Sequence, residues 1–167
     1  FIEYTGNAAE GLNQGLEIDL RLRAADRLFL DLSAGWLDTR FSSYQGYGER
    51  ILAGRDQAHA PNYQFHVGAE YVLGSRWAFH VDLEGKDSFF YSDSHDFKSK
   101  SYELINLGLS FEGNRLEVKA WLKNVMDKEY YVRGYYFGND PRQFYEPNLW
   151  TQLGYPRYYG LSLRASF

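Results

Sequence analysis

Two stretches of this 167-residue chain gather side chains that could do chemistry. The first is Asp93-Ser-His-Asp96, which holds the residue types of a nucleophilic triad. A triad needs a base in reach of the nucleophile and an acid behind the base, a geometry that four adjacent residues do not supply. No enzyme activity is expected from it. The second is the long aromatic stretch Tyr130–Trp150. Its Tyr and Trp rings offer rigid contact area, and its charged groups could fix a polar or anionic solute. Arg133, Tyr135, Tyr136, Phe137, Asp140, Arg142 and Trp150 are therefore the candidate ligand contacts. The opposing reading is that the same rings pack the loop onto itself or sit at a membrane interface.

The four histidines invite a metal reading, but no metal-binding spacing surrounds them, and no metal or cofactor is expected. If Gly74-Ser-Arg76 is a three-residue turn, Glu70 opposes His80 and Glu84 opposes His66 across two strands. That favours charge pairing on a wall over ligation. His59 and His95 fall in loops and are expected to be solvated. Cysteine is absent, which removes disulfides and thiolate sites. The net charge of -4, with no basic cluster, argues against a nucleic-acid partner.

The elements that carry these residues are strands. Seven segments alternate with period two, and one face of each is apolar. They are Leu16 to Leu22, Leu28 to Trp36, Tyr63 to Tyr71, Trp77 to Leu83, Ile105 to Phe111, Leu116 to Leu122, and Tyr159 to Phe167. A helix would scatter these side chains around its circumference. The other faces carry Glu17, Asp19, Arg21, Arg23, His66, Glu70, His80, Asp82, Glu84, Glu117, Lys119 and Lys123. Phe1–Tyr4 reads as the end of an eighth strand, so the chain is expected to be a processed or truncated piece of something longer.

Ala24–Asp26, Gly74–Arg76 and Gly113-Asn114 read as tight turns, the last as a two-residue primed hairpin with Glu112 facing Arg115. The connections at about 41–60, 87–100 and 130–157 are long. Aromatic content is 19% while mean hydropathy is only -0.52. That balance is awkward for a soluble core and natural for an outer-membrane barrel, with one face of each strand in lipid and aromatic girdles at both interfaces. The expected fold is all-β: a transmembrane antiparallel β-barrel, its short turns and C-terminus periplasmic.

Leu122-Lys-Asn-Val-Met-Asp-Lys-Glu-Tyr130 resembles the Asn-Leu-Phe-Asp-Lys-x-Tyr segment on the penultimate strand of TonB-dependent outer-membrane receptors. Pro156–Phe167 is similar to their final strand, Asn7–Glu17 to a loop-to-strand entry, and Gly54–Tyr63 to the Ala-Pro lead into a descending strand. The resemblance implies the C-terminal seven to eight strands of a 22-stranded barrel with a plugged lumen. This would be a single partial barrel domain over residues 1–167, without the plug and the N-terminal strands. It implies a receptor that binds a scarce solute at the cell surface, an iron-siderophore first among the options, and imports it with energy relayed by TonB. Implied partners are outer-membrane lipid, the missing N-terminal strands and plug, TonB through that plug, and the barrel-assembly machinery. The implied assembly signal is Tyr159, Leu161, Leu163 and Phe167, although Ser162 and Ala165 stand where the family pattern has glycine and an aromatic.

The other architecture open to the sequence is a complete eight-stranded barrel with an adhesive or structural role. Against it, Phe1–Tyr4 is too short to span a bilayer, which takes about 9–11 residues. The N-terminal and C-terminal strands are therefore expected not to seal against each other.

Overall fold

The computed structural model describes residues 10–44 and 51–167; Phe1–Tyr4 and the start of Asn7–Glu17 lie outside them. Nine strands form among the described residues: β1 (Glu10–Ala25), β2 (Leu28–Ser43), β3 (Tyr63–Leu73), β4 (Trp77–Lys86), β5 (Tyr102–Glu112), β6 (Leu116–Lys123), β7 (Tyr131–Phe137), β8 (Asn148–Leu153) and β9 (Tyr158–Ala165). Seven make one antiparallel sheet in the order β1-β2-β3-β4-β5-β6-β9, and β7 with β8 makes a separate ribbon. β1 and β9 stand at opposite edges, so among the described residues the sheet is open and does not close into a small barrel.

The register explains the two faces. Leu20 lies opposite Leu32, which lies opposite Val67, then Leu83 and Ile105. Nearer the C-terminus, Leu109 faces Ala120, which faces Leu161, and Phe111 faces Val118, which faces Leu163. Leu107, Leu109, Val118, Ala120, Leu161 and Leu163 thus belong to one apolar band joined by backbone ladders. Trp36 opposite Tyr63 lies at one end of this band, and Trp77 opposite Phe111 at the other. Tyr63 to Tyr71 on β3 is eight residue steps, or about 26 Å at roughly 3.3 Å per residue. A lipid-facing band is about 25 Å tall.

The other face is polar: Asp19, Ser33, His66 and Glu84 follow one another across four strands. Glu70 does oppose His80, and Glu84 does oppose His66. His80 lies between Glu70 at 3.4 Å and the Ser110 hydroxyl at 3.0 Å. His66 turns diagonally to Asp82 at 3.2 Å instead of to Glu84, which accepts from the Asn106 amide at 3.3 Å. Diagonal neighbours on one face are within reach of long side chains.

All three tight turns lie at the end of the sheet where β9 finishes, and Ser166 N–H donates to Arg115 C=O there. Two turns differ in detail from the expectation. The first is a two-residue loop, Asp26-Arg27, with Ala24 bulged out between the Arg23–Phe29 and Ala25–Leu28 pairs. The last is centred on Asn114-Arg115: Glu112 faces Glu117, not Arg115, and no residue there has positive φ, so the turn is not primed. Gly113 serves close approach instead, since a Cβ would meet Leu116 O and the Phe111 ring at 3.2 Å. Gly74 is the turn glycine whose φ of 68° requires its lack of a side chain.

Among the described residues the buried apolar side chains are Phe41, Leu52, Phe89, Tyr91 and Leu104. They gather at the long-loop end, where residues 51–62 and 87–101 interlock. Phe41 N–H donates to Arg55 O, and His59 N–H to Phe90 O. Arg55 organises this dome. Its guanidinium donates to the carbonyls of Ser92, Asp93 and His95 at 2.7, 3.1 and 2.6 Å and lies 3.9 Å above the Phe90 ring.

Candidate functional site: an aromatic ribbon above the sheet

The ribbon was not expected from alternation, because both faces of 131–137 carry aromatic residues. β7 and β8 pair antiparallel, with Tyr135 opposite Trp150 and Phe137 opposite Asn148, and with a register shift between Tyr131 and Arg133. This register divides the candidate contacts. Arg133, Tyr135, Phe137 and Trp150 share the outer face, where the three rings are 46%, 45% and 42% exposed. The Arg133 guanidinium lies 5.4 Å from the Tyr135 ring centroid, a cation–π contact. Trp150 Nε1–H donates to Phe137 O at 3.2 Å, which fixes the indole at the centre of the platform.

Tyr136 points the opposite way and is a packing residue. Its ring lies 4.4 Å from His95 and 6.0 Å from Phe97. Gly134, on the same inner face, has the Tyr91 ring where a Cβ would stand, at 2.5 Å, so the ribbon seats on the dome only without a side chain there. Asp140 and Arg142 are at the tip and bind each other. The Asp140 carboxylate caps the short 3-10 turn Pro141–Gln143, accepting from Arg142 N–H at 3.0 Å and from its guanidinium at 3.0 and 2.9 Å. The guanidinium donors, then the backbone N–H, hold the Asp140 carboxyl below the ordinary carboxylate range. The seven candidates therefore separate into a four-residue platform, an internal packing residue and a tip pair.

Of the two loop histidines, His59 is exposed as expected and His95 is not. His95 is buried, and its Nδ1 accepts from Phe97 N–H at 3.0 Å. Asp93–Asp96 folds around Arg55, whose guanidinium donates to the carbonyls of Asp93 and His95. His59 keeps an exposed edge but packs its ring on Phe89, 5.5 Å away, with Tyr135 at 6.4 Å. Desolvation, then the positive charges of Arg133 and Lys86, push its pKa below the ordinary value. Arg55 and Gly134 were missed by sequence reasoning, since neither stands in a periodic or motif context. On the sheet's polar face an open groove of about 430 Å³ is lined by Glu17, Asp19, Ser33, Gln64, His66 and Glu84 among others. At the other edge, Tyr159, Leu161 and Leu163 lie opposite Leu122, Ala120 and Val118, and Phe167 follows the end of β9.

An open sheet with one apolar and one polar face, short turns at one end and a loop dome at the other, is a segment of barrel wall. Solved structures carry the same segment. The ferric yersiniabactin uptake receptor FyuA of Yersinia pestis matches with a TM-score of 0.75 at 15% identity, covering 94% of this chain and 24% of that one. The siderophore receptor PiuA of Acinetobacter baumannii matches at 0.75 and 11% identity, covering 93% and 22%. The copper transporter OprC matches at 0.66 and 16% identity, covering 94% and 23%. The fold is that of part of a TonB-dependent receptor barrel. The chain spans about a quarter or less of the length of these receptors. No protein-family model matches the sequence. The receptor fold accounts for the open edges of the sheet: in a barrel of more strands, β1 and β9 meet other strands and not each other.

Proposed function

We propose that this chain is the C-terminal part of an outer-membrane active-transport receptor, whose apolar face meets lipid and whose polar face lines a plugged lumen. Short turns and Phe167 are periplasmic in this reading, and the dome with its ribbon faces the cell exterior. The receptor binds a scarce solute, of the iron-siderophore type, and imports it with energy relayed through TonB to a plug carried elsewhere in the parent chain. Insertion proceeds through the barrel-assembly machinery, which reads Tyr159, Leu161, Leu163 and Phe167.

The observation that carries this reading is the exposed platform of Arg133, Tyr135, Phe137 and Trp150 above the polar face. A cation beside three rings suits a solute that has flat or apolar surface together with negative charge. Of the similar structures, one is a ferric yersiniabactin uptake receptor, one a siderophore receptor and one a copper transporter. The test is growth on ferric catecholate, hydroxamate and mixed-ligand chelates in cells that carry or lack the full-length gene. At least one chelate should depend on the gene, and Trp150→Ala and Arg133→Ala should each weaken its uptake roughly tenfold with the receptor still assembled. Growth on every chelate that is indifferent to the gene would remove the siderophore assignment.

A further inference from the structure

The segment Asn124-Val-Met-Asp-Lys-Glu-Tyr130, so far only a point of resemblance, has a geometry of its own. β6 ends at Lys123, and the chain reverses at Asn124, whose φ is 50°. Asn124 is buried, and each of its donor hydrogens and both of its oxygens has a partner. Its N–H donates to Asn106 Oδ1 on β5 at 3.0 Å. Its Nδ2 donates both hydrogens, to Lys128 O at 2.9 Å and Tyr155 O at 3.1 Å. Its Oδ1 accepts from Lys128 N–H at 2.9 Å, and its C=O accepts from Asp127 N–H.

Lys128 lies on the stem entering the ribbon, and Tyr155 on the stem leaving it. Two neighbouring contacts tie the same stems. Asp127 Oδ1 accepts from Arg157 N–H at 2.8 Å. The Tyr130 ring covers Gly154, where a Cβ would lie 2.0 Å from it, and Gly154 N–H donates to Tyr130 O at 2.8 Å.

We infer that Asn124 is a positioning residue for the ribbon: its backbone N–H is held to Asn106 of β5, and its single carboxamide clamps the two stems together and so sets where the platform stands. Asparagine suits this place because three requirements coincide. The backbone needs the left-handed region, which asparagine tolerates. Two carbonyls need a two-hydrogen donor, and one N–H needs an acceptor in the same group. Aspartate keeps the acceptor and loses the donors; glycine keeps the backbone and loses both. The clamp stands on geometry alone, and its consequence for solute binding rests on the platform reading above.

The experiment is hydrogen exchange by mass spectrometry on the full-length receptor in membranes, comparing Asn124→Asp and Asn124→Gly with the unaltered protein. Peptides from β7 and β8 should exchange at least about tenfold faster in both variants, while β5 and β6 peptides keep their protection. Unchanged ribbon exchange would overturn the inference. So would equal acceleration across β5 and β6, or failure of both variants to assemble, because Asn124 would then support the sheet itself. Binding of the chelate identified above is measured in parallel. A loosened ribbon with unaltered binding leaves the clamp standing and removes the platform's role in solute contact.

Discussion

The sheet and the dome above it are held together in opposite ways. In the sheet, cohesion comes from backbone ladders, and the apolar side chains lie in one uncovered layer: Leu16, Leu161 and Leu163 are each more than 60% exposed. In the dome, backbone pairing is sparse, and order comes from a small aromatic core and from side chains that reach backbone carbonyls, Arg55 above all. A wall that supplies no core of its own needs a solvent that welcomes apolar surface. A set of loops in water has to bring its own core. The two regions should therefore respond to different insults.

The largest effect is expected on the wall. Leu109→Arg places a charge within the apolar band, one apolar position from its Trp77–Phe111 end, at a cost of up to about 2–4 kcal/mol in lipid. It should reduce assembled receptor, measured by heat-modifiable gel mobility. Gly108→Ser, one residue along on the polar face, should leave assembly intact, since a Cβ there meets His80 no closer than 3.4 Å.

In the dome, Arg55→Ala removes donors to three carbonyls and the stack on Phe90, a loss on the order of 1.5–3 kcal/mol for hydrogen bonds to a charged group. Protease cleavage within 92–98 should accelerate, while the wall's heat-modifiability stays unchanged. Loss of both together would show that the regions are not independent.

A smaller effect is expected from pH. The His59 pKa is depressed where its ring packs, so the opened loop takes up a proton before the packed one does. Above the ordinary value of 6.5 both forms are neutral and the packing is complete. As pH falls through 6.5 toward the depressed value, the opened form gains. Corrected for the intrinsic slowing of amide exchange with falling pH, the protection of peptides around 57–61 and 133–137 should drop as pH falls through 6.5, and His59→Gln should abolish that dependence. The smallest response is expected at the Arg21–Asp31 pair on the polar face, whose side chains are largely solvated. Arg21→Ala should leave assembly and exchange unaltered.

What could be read from the amino acids follows the same division. Period-two patterning placed every strand of the wall, and the three-residue turn at Gly74–Arg76 gave the His80–Glu70 and His66–Glu84 oppositions. The pattern was silent where it had no power to discriminate. Moving the last tight turn from Gly113-Asn114 to Asn114-Arg115 slips the register by two residues and keeps each face, so hydrophobicity cannot tell the two apart. The ribbon was hidden because Tyr131–Phe137 is aromatic on both faces: one faces the dome, the other is open. Within the candidate site, composition marked the segment but could not tell the exposed residues of the ribbon from Tyr136, which packs, or from Asp140 and Arg142, which satisfy each other. That separation depends on the β7–β8 register, and no local signal carries it.

Because these 167 residues hold no cysteine, the wall can be mapped one position at a time once any cysteine elsewhere in the full-length protein has been replaced. Single cysteines placed at 107 to 111 on β5 in the full-length receptor, in intact membranes, would be exposed to a water-soluble thiol reagent and, separately, to a lipid-phase quencher of an attached fluorophore. A lipid-facing apolar band requires alternation. Positions 108 and 110 should react from water and resist quenching, and positions 107, 109 and 111 should do the reverse. Uniform labelling along the strand, or quenching at 108 and 110, would contradict the assignment of this sheet as a membrane wall.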